Sequence, residues 1–244
     1  MKVAIAQIVV EKGNLPYNLA KHLYCCQLAA NEKADLVVFP ELSLTGYEPE
    51  LAQALAVELT DPVWETLKHS ARENQLVISV GMPLKTANGI QIGAVQAWPD
   101  GTLHPYAKQN LYTGEDTFFV PGTNDYQFTL QGEKISMAIC ADISDPQVPL
   151  RAHRQGATIF LAPVMVSKKG LTHDRTLLQQ YAQQYQLLTV MANYGGQTGG
   201  YDCGGYSSVW SEKGELIGEL AHDREGMLLL EKSGQTWTTE KLIL

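Results

Sequence analysis

Positive charge is scarce in this chain: 18 lysines and arginines stand against 26 aspartates and glutamates, a formal net charge of −8. Nucleic acid and anionic membrane surfaces are bound through clustered cations, and Lys168-Lys169 is only a pair. Neither is expected as a partner. Long hydrophobic runs are also missing, because no stretch approaches the roughly 18 consecutive apolar residues of a membrane span. The segment from Met1 to Val10 has a short apolar core interrupted by Gln7 and no small-residue cleavage site after it, so it predicts a first strand and not a signal peptide. Cysteine is sparse. Cys25 and Cys26 are adjacent, Cys140 and Cys203 stand alone, and the spacing fits neither a disulfide framework nor a zinc site. A reducing, cytoplasmic compartment is therefore expected, in which a free thiolate survives. The six histidines, His22, His69, His104, His153, His173 and His222, include no close pair. No metal site is expected, and a Cys-His pairing has no obvious candidate.

What the chain does have is core: it is 45% hydrophobic and 18% charged over 244 residues, with no linker, low-complexity segment or break in composition. One domain spanning 1–244 is expected. Short apolar runs alternate with amphipathic stretches. Strands are predicted over 2–10, 34–39, 76–82 and 90–98, the last two joined at Asn88-Gly89, a hairpin signal. Further strands are expected up to Tyr106 and over 126–130, 135–139, 158–162, 187–192, 207–210, 216–220 and 226–230. Helices are predicted over 18–31, from Asp61-Pro62 to Asn74 with Asp at the N-cap and Pro at N1, over 148–155 and over 171–186. The tail from Ser233 to Leu244 has no clear assignment, and Lys241-Leu242-Ile243-Leu244 is suited to packing on a partner. Such alternation implies a layered α/β architecture. Pattern alone does not separate two packed sheets flanked by helices from one doubly wound sheet.

Three segments carry chemistry. Cys140 closes the apolar run Lys134–Ile139, Phe39-Pro40-Glu41 follows the run Ala34–Val38, and Tyr106-Ala107-Lys108 lies in mid-chain. Each has an ordinary reading: a small buried hydrophobe for the cysteine, a carboxylate near a helix N-terminus, a surface lysine. Together they resemble the nitrilase-like carbon–nitrogen hydrolase family, whose pattern is Pro-Glu after the second strand, Tyr-x-Lys in mid-chain, and a Cys with an acid two residues on. Here these stand as Pro40-Glu41, Tyr106-Ala107-Lys108 and Cys140-Ala141-Asp142. Gly114-Glu115, followed by Phe118-Phe119 and Pro121-Gly122, matches the family's second glutamate. The resemblance runs from Lys2 to about Gly226, and includes Gly205-Tyr206-Ser207-Ser208-Val209.

That resemblance implies a four-layer αββα sandwich, homodimers paired through their sheets, and C–N bond hydrolysis with neither metal nor cofactor. It implies a Cys140 nucleophile, Glu41 as general base and then acid, Lys108 with the Ala141 backbone N–H as oxyanion donors, and Glu115 holding Lys108. A thiol of pKa about 8.5 is mostly protonated at neutral pH, so it needs such a base. Attack on a carbonyl then gives a thioester that water hydrolyses. Lys108→Ala is expected to cost rate more than stability. Tyr47, Tyr112 and Met165 are candidate pocket walls by family position. The preferred substrate is a small amide. N-carbamoyl acids and nitriles are the alternatives, as are a catalytically silent scaffold or an acyl transferase on the same fold. No arginine follows Cys140 closely to hold a carboxylate; the first is Arg151.

Overall fold

The computed structural model describes residues 1–222 and 224–244. Along the chain lie β1 (Lys2–Gln7), α1 (Leu15–Asn31), β2 (Leu36–Val38), α2 (Ala52–Leu55), α3 (Pro62–Asn74), β3 (Val77–Thr86), β4 (Gly89–Ala97) and β5 (Leu103–Ala107). Then come β6 (Gln127–Leu130), β7 (Glu133–Met137), α4 (Gln147–Arg154), β8 (Ile159–Pro163), α5 (Leu171–Tyr185) and β9 (Leu188–Ala192). The last are β10 (Gln197–Thr198), β11 (Tyr201–Asp202), β12 (Ser208–Trp210), β13 (Leu216–Glu219), β14 (Gly226–Ser233) and β15 (Thr236–Ile243).

Two mixed sheets result, one ordered β15-β14-β1-β2-β3-β4-β5 and the other β13-β12-β9-β8-β7-β6, with β10-β11 a separate small hairpin. The two-residue period of a strand explains how they stack. In β1, Val3 and Ile5 face the second sheet with Leu36, Val38, Leu228 and Leu230, and meet Ile135, Leu161, Leu188 and Val190 there. The alternate residues Ala4 and Ala6 face α1 and α3, where Cys25, Cys26, Ala29, Trp64 and Leu67 cover them. Small alanines on that side let the helices sit close. On the outer face of the second sheet, Phe160 and Ala162 pack against Val148, Ala152, Leu178 and Ala182 of α4 and α5. The layers are therefore helix, sheet, sheet, helix: an αββα sandwich, which resolves the choice the strand pattern leaves open.

Two differences from the sequence reading have local causes. Helix α1 begins at Leu15, not Asn18, because Asn14 caps it, its side chain accepting from Tyr17 N at 3.3 Å, with Pro16 in the first turn. Asn18 is instead a buried member of the helix. The unassigned tail is β15, which pairs antiparallel with β14 from Gly226↔Ile243 to Ser233↔Thr236. Among the described residues, no helix is long and apolar enough to cross a membrane.

Candidate active site

β2, β5 and β7 end near one another at the same edge of the sandwich, and each delivers one chemical group. After β2 the chain turns at Glu41-Leu42, where Leu42 takes φ +52°. The turn presses on β3 so closely that a Cβ built on Gly81 would lie 2.1 Å from Leu42 N, which is why glycine stands there. Ser43 fixes the turn further: its hydroxyl accepts from Gly81 N at 3.1 Å and bonds His22 Nε2 at 2.9 Å. Tyr194 donates its hydroxyl to the Glu41 carbonyl at 2.6 Å. Glu41 is thus held rigidly and is 1% exposed.

Lys108 follows directly on β5. Its N–H donates to Ile92 O at 2.9 Å and its carbonyl accepts from Gly122 N at 2.7 Å. The side chain is fully buried, and its ammonium donates to Glu41 Oε1 at 2.8 Å and to Glu115 Oε1 at 2.7 Å. Glu115 opens a short 3-10 turn, Glu115–Thr117, after Gly114 at φ +90°. Its Oε1 also accepts from Tyr47 OH at 2.8 Å and its Oε2 from Tyr112 N at 2.7 Å. Both oxygens of Glu115 are therefore committed. Glu41 differs: its Oε2 is buried and has no hydrogen-bond partner.

Cys140 begins the 3-10 turn Cys140–Ser144 at φ +45°, a left-handed conformation that non-glycine residues adopt rarely and that collects at functional sites. The turn directs the half-buried thiol at a cavity of about 300 Å³. The thiol donates to Met165 O at 3.6 Å. The first N–H groups of such a turn have no intrahelical acceptor, which leaves the Ala141 N–H for a ligand; Ala141 itself lines the cavity.

The electrostatics follow from burial. Burial raises the Glu41 carboxyl most, Lys108 pulls it back, and the outcome is a pKa of about 7, with the nearby Cys140 side chain also lowering it. For Lys108, burial is the largest influence and favours the neutral amine, but the surrounding Glu41, Cys140 and Glu115 together raise its pKa. It stays an ammonium. Burial, then Glu41, push the Cys140 thiol well up, so at rest it holds its proton. A neutral thiol beside a carboxylate with one free oxygen is an arrangement for general-base activation.

Of the residues singled out from the sequence, Glu41, Lys108, Glu115 and Cys140 are brought together here, and Tyr47, Tyr112, Met165 and Ala141 line the cavity beside Cys140. Two kinds of residue lie beyond what the sequence assigns. In the sequence Asp142 is only the acid two residues after the cysteine. It is fully buried and accepts from Ile139 N at 2.8 Å, Gln109 N at 2.9 Å, Asn110 N at 2.7 Å and Tyr106 OH at 2.7 Å. It thereby ties the Cys140 turn to the segment that carries Lys108. Ser144, His173, Asp174 and Tyr201 also line the cavity. The signal for His173 and Asp174 was present: they open a helix that follows a strand end, the edge where α/β sites gather. Among the described residues, no three His, Cys, Asp or Glu side chains group as a metal site.

A family model described as carbon-nitrogen hydrolase matches residues 2–238. The chain is similar to an (R)-stereoselective amidase of Pseudomonas sp., 28% identical over 196 residues, covering 79% of this chain and 70% of that protein. It is 27% identical to a glutamine-dependent NAD(+) synthetase of Acinetobacter baylyi, across 94% of this chain but only 44% of that protein, so it spans less than half of that relative. The solved NitN amidase from Nesterenkonia sp. AN1 superposes with a TM-score of 0.89 at 25% identity, covering 96% of this chain and 93% of that one. A Glu-to-Gln variant of that amidase carries acrylamide added at its active-site cysteine.

Proposed function

The chain belongs to the carbon–nitrogen hydrolase family, and we propose that it hydrolyses a small amide through a thioester on Cys140. The carrying observation is the buried, unpartnered Oε2 of Glu41 beside a protonated thiol, with the other carboxylate oxygen pinned by Lys108. Glu41 takes the thiol proton as sulfur attacks the amide carbon. The carbonyl oxygen becomes an oxyanion, met by the Lys108 ammonium and the Ala141 N–H. Each such donor is worth about 3–4 kcal/mol of barrier. The C–N bond breaks as Glu41 passes its proton to the departing nitrogen, releasing ammonia or amine. A water then enters, loses a proton to Glu41 and attacks the thioester. Collapse of the second oxyanion frees a carboxylic acid, and the proton on Glu41 returns to sulfur. Glu115, with both oxygens committed, holds Lys108 in place throughout.

The cavity of about 300 Å³ bounds the substrate to a small molecule. We further place the enzyme as one catalytic domain in the cytoplasm and as a homodimer. The four free cysteines support the reducing compartment, and the family resemblance supports the pairing. Ammonia release from a panel of short amides, with Cys140→Ala as control, tests the reading. Release that vanishes with Cys140→Ala is expected. Release from none of the amides, or equal release by the variant, overturns it.

A further inference from the structure

Among the described residues, no lysine or arginine lines the reaction cavity, while Glu115 and Asp174 do, with His173 beside them. Glu115 is saturated by Lys108, Tyr47 and the Tyr112 N–H. Asp174 is not: no described residue donates a hydrogen bond or ion pair to its carboxylate, and burial raises its pKa above the ordinary aspartate value while the neighbouring His173 pulls it back. It lies in the first turn of α5 without serving as its cap, since Gly170 is the N-cap and no side chain closes that end. Its Oδ2 points back along the cavity wall, 4.0 Å from where a Cβ on Gly170 would be. The helix N-terminus favours the ionised form, and the carboxylate is half-buried and so incompletely solvated, which leaves it short of a cationic partner.

Arg175 and Lys168, the chain neighbours of the cavity-lining Asp174 and Ser167, are engaged elsewhere. Arg175 donates to Glu219 at 2.7 Å and lies 5.2 Å over the Tyr206 ring. Lys168 donates to Asp202 at 2.7 Å. A second feature points the same way: two tyrosines with exposed rings, Tyr112 at 59% and Tyr201 at 45%, stand at the cavity wall. Aromatic faces attract cations and give nothing to anions. A carboxylate without a hydrogen-bond partner, aromatic faces and no lysine or arginine in the described lining together describe a receptor for positive charge.

We propose that the amide hydrolysed here carries a protonated amine remote from the scissile bond, and that Asp174 receives this ammonium as a specificity-determining residue. The inference rests on the amidase reading and narrows its substrate class from small amides to aminoalkyl amides. A substrate tail ending in a carboxylate would face Asp174 with like charge and no arginine, so such amides are disfavoured.

Three amides of matched length separate the cases: 4-aminobutanamide (cationic), pentanamide (neutral) and succinamate (anionic). The wild-type protein is expected to favour 4-aminobutanamide over pentanamide by about five- to tenfold in kcat/KM, with succinamate last. Asp174→Asn should bring the cationic-to-neutral ratio to about one, and Asp174→Glu should restore part of it. A wild-type ratio near one, a preference for succinamate, or a ratio unmoved by Asp174→Asn overturns the proposal while leaving the amidase reading in place. If no amide is turned over, the amidase reading falls instead. Calorimetry of the three compounds on Cys140→Ala protein then decides the charge preference on its own. Tightest binding of 4-aminobutanamide supports it, and equal or anion-favouring binding overturns it.

Discussion

The Tyr106 hydroxyl donates to Asp142 Oδ2 at 2.7 Å, which joins the strand leading to Lys108 to the turn that begins at Cys140. Asp142 Oδ1 takes the Gln109 and Asn110 N–H groups at 2.9 and 2.7 Å, so one carboxylate spans both segments. It positions the machinery without touching the reacting atoms. Asp142→Asn replaces an acceptor by a donor on one side and strands a buried backbone N–H or the tyrosine hydroxyl. A loss of about 2–3 kcal/mol in stability is expected. Activity should fall about a hundredfold through kcat and not KM, as a displaced nucleophile requires. Chemical denaturation with steady-state kinetics checks both, and an unchanged kcat would remove Asp142 from this role.

Cys140→Ser and Cys140→Ala should cut turnover by at least about a thousandfold while leaving the melting temperature close to that of wild type. The thiol makes one weak 3.6 Å bond to Met165 O and packs only at the half-buried margin of two apolar clusters, so little stability rests on it. A marked drop in melting temperature would make Cys140 a structural residue.

Burial changes the expectation for Lys108→Ala. Lys108 is fully enclosed between Glu41 and Glu115, so its removal leaves two buried carboxylates facing each other. Breaking a buried pair in this way costs about 3–5 kcal/mol, and stability should fall along with rate. The deficit should shrink on acidification, because a carboxylate without its cation protonates readily. Thermal unfolding of wild type and variant from pH 5 to pH 8 checks this. A deficit that does not depend on pH would contradict it.

The Glu41 carboxyl, raised by burial to about 7, sets the acid side of the pH profile. The base must be ionised, so kcat/KM should climb with pH and level off above an apparent pKa of about 7. Stability runs the other way. A carboxyl raised from 4.5 to about 7 contributes fully below 4.5, and that contribution is lost as pH rises through about 7. Glu41→Gln has no proton to lose. It should be inactive, yet its melting temperature relative to wild type should rise between pH 5 and pH 8. A constant difference across that range would show that Glu41 is not raised.

Gly81→Ala should be damaging without touching the cavity. Its methyl would meet Leu42 N at 2.1 Å and Glu41 C at 2.8 Å, both backbone atoms that cannot move aside. Displacement of Glu41 by even a fraction of an ångström should lower kcat by about tenfold or more. Wild-type kcat in a folded Gly81→Ala protein would refute this tight seating.

How far the sequence foretold this molecule depends on the range of the interactions involved. Strand periodicity and the caps at Asp61-Pro62 are local, and the elements they mark are present. The joining of β1 to β14, register Lys2↔Glu231, spans nearly the whole chain and leaves no local trace. Two packed sheets therefore could not be told from one. The tail was opaque for a related reason: β15 is an edge strand whose residues are mostly exposed, so alternation of apolar and polar residues is weak there. Glu41, Lys108, Glu115 and Cys140 were legible because each sits in its own motif. Asp142 was not assigned because its work lies in backbone N–H groups some 30 positions away, at Gln109 and Asn110. Asp174 gives only a helix-start signal, since the role proposed for it depends on which distant side chains share the cavity.

The thioester on Cys140 is the claim on which the rest depends, and acid-quench mass spectrometry during turnover of a short amide addresses it directly. The Cys140 peptide should gain one acyl group during the steady state and lose it when substrate is exhausted, with no gain in Cys140→Ser. Ammonia accumulating while that peptide stays unmodified at every time point, with Cys140→Ala as active as wild type, would contradict the account.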